Sequence, residues 1–271
     1  MSVYQRILLR ALSSRVLGTA LERMLRRSVW EIEQGTGTGL KLRLPQNRDY
    51  ILGLSEPPVQ RALAEYLHPG DVFYDIGANV GFFSLLAART VGPGGCVCAF
   101  EPVAANAESI RDNADLNDLR NLRVLEMAIG RSARVAEFLL TGWDGGGSLS
   151  EAAVRPSDVV SRVDVRVAAL DDMIRAEGLP QPDLVKIDVE GAEMDVLAGM
   201  SATIRDRSPV LLYEVDDEDR AEFQRRWREL DSYVTGFGYE VRHLESSYPN
   251  ERWQVGHSLA VPGLANCDRS S

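Results

Sequence analysis

The sequence predicts an α/β protein whose core is a doubly wound, mostly parallel sheet. Three observations carry this. Compact apolar runs recur at Val72–Ile76, Cys96–Phe100, Leu122–Met127, Leu184–Asp188 and Val210–Glu214, and near-continuous runs of this length are strands buried on both faces. Helical patterns separate them, at Phe82–Ala88, Ala104–Leu116 and around Glu193–Met200; strand–helix alternation is the signature of a parallel sheet with covered faces. The chain is also long enough to fill one such core, with 271 residues, 45% of them hydrophobic and 26% charged.

Along the chain, three zones are expected. Residues 1–30 read as a basic amphipathic helical segment, with Tyr4, Leu8 and Leu12 on one line and Ile7, Ala11, Leu17, Leu21, Met24 and Leu25 nearby. Residues 31–70 hold a strand and a helix that precede the core. A glycine cluster (Gly35, Gly37, Gly39) leads into the alternating Leu40–Leu44, and Pro57-Pro58 start a helix that Pro69-Gly70 stop. Residues 71–271 form the core domain. The loop from Thr141 to Ser150 is rich in glycine around Trp143 and reads as a lid with glycine hinges.

Charge narrows the partners. The whole chain carries a formal charge of -10, yet residues 1–30 carry +5, so the remainder carries -15. That acidity argues against nucleic acid as partner, since binding it depends on neutralising phosphates. The basic segment would dock on the acidic body, pack in a dimer, or touch an anionic membrane surface through residues 1–28. No run approaches the roughly 18 apolar residues of a membrane span. Arginines also recur through the N-terminus, unlike the apolar stretch of a signal peptide. Cys96, Cys98 and Cys267 make no disulfide framework, which implies a reducing, cytoplasmic compartment.

The most informative stretch is Asp75-Ile76-Gly77-Ala78-Asn79-Val80-Gly81, between a strand and a helix. In a doubly wound sheet the carboxyl ends of the strands form the ligand crevice. Gly77 and Gly81 permit a tight turn and close approach of a ligand, and Asn79 tolerates a left-handed backbone. A second acid, Glu101, ends the next strand, where a carboxylate can accept two hydrogen bonds from a ribose diol. The spacing is not the Gly-x-Gly-x-x-Gly of a dinucleotide site, so a nucleoside without a cradled phosphate fits better than a nucleotide-dependent Rossmann oxidoreductase. A catalytically silent binding protein is a third reading, opposed by the intact glycine turn, Glu101 and acidic strand ends.

Asp75 to Gly81 with Phe100-Glu101-Pro102 resembles the first motif and following acidic strand end of class I S-adenosylmethionine-dependent methyltransferases. Leu170-Asp171-Asp172, the run Leu184 to Glu193 (Leu-Val-Lys-Ile-Asp-Val-Glu-Gly-Ala-Glu), Asn106, Asn113, Asn117 and the strand ending in Glu214 resemble the FkbM family within that class. The resemblance spans about Leu40 to Pro262. It implies a Rossmann-like methyltransferase sheet, with an antiparallel strand near the C-terminus, and O-methyl transfer to a small-molecule hydroxyl of a sugar, glycolipid or polyketide-type natural product. It also implies that Asp75, Gly77, Ala78, Asn79 and Gly81 floor the methionine part of S-adenosylmethionine. Glu101 would hold the ribose, Met127 in Glu126-Met127-Ala128 would flank the adenine, and Asp188 would face the sulfonium end or the acceptor.

A protonated alcohol is a poor nucleophile, so a base or a metal is expected. Asp188, Glu190 and Glu214 are the candidate acids at strand ends, and His257 is a candidate base standing where the FkbM pattern more often has asparagine. A divalent metal, Mg²⁺ or Mn²⁺, held by Asp188, Glu190 and Glu214 is an alternative, since hard oxygen ligands suit those ions. Glu190 reads equally as a helix-start acid, and Glu193 as a surface residue of the same helix. His68 and His243 read as bland. Trp143, Tyr248 and Trp253 would stack on an acceptor or cover the core edge.

Overall fold

The computed structural model describes residues 28–43, 48–141, 147–152, 159–247 and 254–263. The basic segment up to residue 27, Trp143, Tyr248, Trp253 and Cys267 lie outside them. The chain enters with β1 (Val29–Glu31) antiparallel to β2 (Lys41–Arg43), Trp30 opposite Leu42. The helical expectation for residues 1–30 is therefore wrong at its end. Trp30 is buried between exposed Val29 and Glu31, the two-residue period of a strand. Next come α1 (Arg48–Leu52) and α2 (Pro57–Tyr66), the latter opened by its two prolines as expected.

The expected alternation follows: β3 (Val72–Ile76), α3 (Phe82–Val91), β4 (Cys96–Phe100), α4 (Ala104–Leu116) and β5 (Leu122–Leu125). After an excursion described below come α5 (Leu170–Glu177), β10 (Leu184–Ile187), α6 (Glu193–Gly199), α7 (Ser201–Arg207), β11 (Val210–Asp217), α8 (Arg220–Thr235), β12 (Tyr239–His243) and β13 (Gln254–Pro262). The main sheet has the order β12-β13-β11-β10-β3-β4-β5. From β11 to β5 it is parallel, and β13 runs antiparallel to both β11 and β12. Chain direction across the sheet reverses between β3 and β10, which places a topological switch point at their carboxyl ends.

The sheet is buried on both faces because its strands are apolar on both. Phe73, Val97, Leu184 and Leu212 pack with Val59, Leu63, Leu85 and Leu86 from α2 and α3. Tyr74, Cys98, Val185 and Leu211 pack with Ile174, Val196, Leu197 and Leu230 on the other side. No helix among the described residues is long and apolar enough to cross a membrane.

The excursion is a second, four-stranded sheet with no counterpart among the elements expected from the sequence. It comprises β6 (Ala128–Ile129), β7 (Arg134–Thr141), β8 (Gly147–Leu149) and β9 (Val159–Ala168), in the order β6-β9-β7-β8. β5 stops at Leu125 rather than Met127, and the chain turns at Glu126 to leave the main sheet. Part of the expected lid is thus strand: Gly147 to Leu149 pair with β7, and Ser148 and Leu149 are buried.

One motif residue has a purely architectural task. Asp171, in the first turn of α5, accepts hydrogen bonds from Ala202 N, Thr203 N and Thr203 Oγ1 at 2.8, 3.0 and 2.6 Å. It satisfies two amides at the start of α7 that have no partner within the helix. Asp171→Ala is expected to destabilise the fold by about 1–2 kcal/mol, the usual loss for a missing cap. Urea unfolding should show a lower midpoint with an unchanged slope.

Candidate active site

The site is built where β3, β4 and β10 end. After Ile76 the chain turns through Gly77 and Asn79, both left-handed at φ +83° and +50°, to reach Gly81 at the start of α3. Gly77 N and Ala78 N both donate to Phe100 O, folding the turn over the end of β4. A Cβ at Gly77 would lie 1.8 Å from the Asp188 carbonyl oxygen, so no larger residue fits there. Glu101 ties the same turn from the other side: Oε2 accepts from Asn79 N at 2.9 Å, and Oε1 accepts from Val103 N and Asn106 Nδ2. Burial pushes the Glu101 carboxyl up to about 7, against those three donors.

These strand ends wall a cleft of about 850 Å³, open mouth included. Gly77, Ala78, Asn79, Glu101, Asp188 and Glu190 line it. The second sheet supplies another wall through Phe138, Gly147 and Leu149, and Tyr50 and Glu56 reach it from before the core. Asp75 and Gly81 lie beneath the lining rather than in it. Asp75 is fully buried, with Oδ2 accepting from Ser84 Oγ at 2.6 Å and Oδ1 without a partner. Met127 packs in the core instead, and its neighbours Ala128 and Ile129 face the cleft. This follows from the turn at Glu126, which shifts the lining position by one residue.

Lys186 is the site residue that the sequence analysis left unassigned. Its Nζ is buried 2.7 Å from Asp188 Oδ2 and 4.9 Å from the centre of the Phe83 ring. Burial opposes its charge, but Asp188, Asp75 and Glu56 outweigh burial and hold the ammonium above its ordinary range. The strand register places Lys186 beside Asp75 of β3, so one cation serves two strand ends.

The acids divide into two groups. Glu190, left-handed at φ +48°, has its carboxyl pushed to about 8 by burial and then by Asp216, Asp188 and Glu193. Glu193 is not the surface residue of the bland expectation. It is buried, bonded to Gly191 N and paired with Arg226 at 2.9 Å, as a carboxylate inside a protein requires. The second group is Glu214 with His257, opposite each other on β11 and β13, and Glu56. His257 Nε2 lies 2.7 Å from Glu214 Oε2 and 3.2 Å from Glu56 Oε2. Burial would push the imidazole down, but the two carboxylates push it up to about 10. The expected oxygen triad of Asp188, Glu190 and Glu214 therefore needs correction. Among the described residues, Glu56, Glu214 and His257, not Asp188, Glu190 and Glu214, bring ligand atoms within 4.8 Å of one another.

Residues 75–241 match the family description "Methyltransferase FkbM domain". The chain belongs to the FkbM methyltransferase family. Among relatives, the 31-O-demethyl-FK506 methyltransferase FkbM of Streptomyces tacrolimicus is 32% identical over 201 residues, 65% of this chain and 75% of that protein. The 2-O-methyltransferase NoeI of Sinorhizobium fredii is 28% identical over 217 residues, covering 73% and 88%. A crystal structure of protein PH0793 from Pyrococcus horikoshii shares the fold at a TM-score of 0.52 and 13% identity, covering 88% of this chain and 73% of that one. In this FkbM-family methyltransferase, the Lys-Ile-Asp portion of the long motif is the buried pair just described, and its final Glu is the Arg226 partner.

Removing one partner of a buried ion pair leaves the other uncompensated. Lys186→Met is expected to lower stability by about 3–5 kcal/mol. Combining it with Asp188→Asn should restore part of that loss, read as coupling in a urea double-mutant cycle.

Proposed function

We propose that this FkbM-family methyltransferase uses S-adenosylmethionine to methylate a hydroxyl of a sugar, glycolipid or natural product. The observation that carries the reading is the Glu101 carboxylate, buried at the cleft edge and fastened to the glycine turn by Asn79 N. It retains acceptor capacity for one hydroxyl of a ribose, since three donors leave about one lone-pair site of an ionised carboxylate open. An unpartnered buried oxygen in the cleft lining, Asn79 Oδ1, fits a ligand that brings hydrogen-bond donors. The O-methylation in the names of the FK506 and NoeI relatives supports an oxygen acceptor.

When bound, S-adenosylmethionine supplies a methyl group activated on a cationic sulfonium. The protein's work is then to bring the acceptor oxygen into line and to receive its proton. Asp188, on the cleft floor and already charge-balanced by Lys186, orients the polar ends of cofactor and acceptor. Glu190 is the base: it lines the cleft, and its affinity for protons is raised toward the working pH. Phe138 and Leu149 offer the acceptor an apolar wall.

Two outcomes test this. A ribose diol favours ionised Glu101, so affinity for S-adenosylmethionine should rise as pH increases through about 7 and then level. In Glu101→Gln, calorimetry should show affinity lower by about tenfold to a hundredfold, with that pH dependence gone. For the base, kcat/KM should climb with pH through about 8 as Glu190 loses its proton. Glu190→Gln should lose roughly 10²–10⁴ of the rate together with that limb. Failure of wild-type protein to bind S-adenosylmethionine overturns the whole reading.

A further inference from the structure

We propose that Glu56, Glu214 and His257 form a divalent-cation site at the edge of the cleft, suited to Mn²⁺ or Zn²⁺. Its catalytic use rests on the methyl-transfer reading above; its binding of the ion does not.

The first argument is the ligand set. Glu56 stands ahead of α2, Glu214 on β11 and His257 on β13, so three separate elements converge. Their ligand atoms all lie within 4.8 Å of one another. Two carboxylate oxygens and one imidazole nitrogen suit a borderline divalent ion better than Mg²⁺, which prefers oxygen alone.

The second argument is spacing. His257 is 2% exposed, and its Nε2 meets two carboxylate oxygens at once, Glu214 Oε2 and Glu56 Oε2. The distances, 2.7 and 3.2 Å, are those of neighbouring ligands on one ion. Two atoms each about 2.1 Å from a metal are about 3.0 Å apart when they subtend a right angle.

The third argument is charge. Asp75, Asp188, Glu56 and Glu214 gather around Lys186 and His257, so carboxylates outnumber the cations that face them. A divalent ion offsets that excess, and binding would release the proton that otherwise sits on the cluster. Glu56 lines the cleft while His257 closes the back of the group. The ion's remaining positions would therefore face the cleft, where water or the acceptor's oxygen could bind and lose its proton more readily.

The test uses the full chain stripped of metal, with Mn²⁺ added and followed by electron paramagnetic resonance. One equivalent should bind per chain, with a Kd of about 10⁻⁴ M or tighter. Glu214→Gln, Glu56→Gln and His257→Ala should each weaken binding by at least about tenfold, whereas Glu190→Gln should leave it unchanged. Thermal melts establish which variants fold, and the isosteric Glu56→Gln keeps the test decisive if His257→Ala does not. Substoichiometric binding, or equal affinity in wild type and folded Glu56→Gln and Glu214→Gln, overturns the site. S-adenosylmethionine binding is measured in parallel on the stripped protein. Cofactor binding without Mn²⁺ binding rejects the cation site and leaves the methyl-transfer reading standing. Mn²⁺ binding without cofactor binding supports the site and rejects that reading.

Discussion

The buried ammonium of Lys186 is the constraint on which the rest of the site depends. A charge in a central strand is costly unless its partners are fixed around it. Here Asp188 lies 2.7 Å away just past the end of the same strand, and Asp75 beside it across the β3–β10 ladder. The cation in turn lets several carboxylates approach one another at the strand ends, where unassisted repulsion would protonate or displace them. The acidic character of the cleft is therefore a property of the sheet's middle, not a scatter of surface charge.

Around that centre, two regions divide the chemistry. The turn from Gly77 to Gly81, with Glu101, forms a rigid edge of the cleft in which backbone amides and a carboxylate are already bonded. Glu190 and Glu214 have proton affinities raised by burial and by neighbouring carboxylates, and His257 has its own raised by Glu214 and Glu56. The second sheet closes the cleft with apolar side chains. Most charged positions come from the main sheet, with Glu56 added from the segment before it, and the excursion adds the apolar Phe138 and Leu149.

The parallel core was legible in the sequence because its strands are apolar on both faces and its helices begin and end with strong signals. Ala104–Leu116 is the helix read from sequence, and Pro57-Pro58 open α2 as expected. The second sheet was harder to see. In β9, Val163, Val165 and Val167 alternate with Asp164 and Arg166, a true strand signal. The glycine-rich stretch before it and the exposed Val160 and Val163 break the hydrophobic pattern into pieces. Of the site, the glycine turn and strand-end acids could be read directly, because their positions follow from the topology. Lys186 could not, since its motif looks like one more strand until β3 is known to lie beside it. Glu56 was hidden for a similar reason: nothing local marks a residue brought in from 130 positions or more before its partners.

The contact between Gly77 and the Asp188 carbonyl makes the two strand ends mechanically one piece. With no side chain between them, the glycine turn rests on the backbone that carries the Asp188 carboxylate. Any displacement of one must be passed to the other rather than absorbed by a rotating side chain. A ligand held at the glycine turn would thus also stiffen the Asp188 strand end, a gearing built from the absence of a single methyl group.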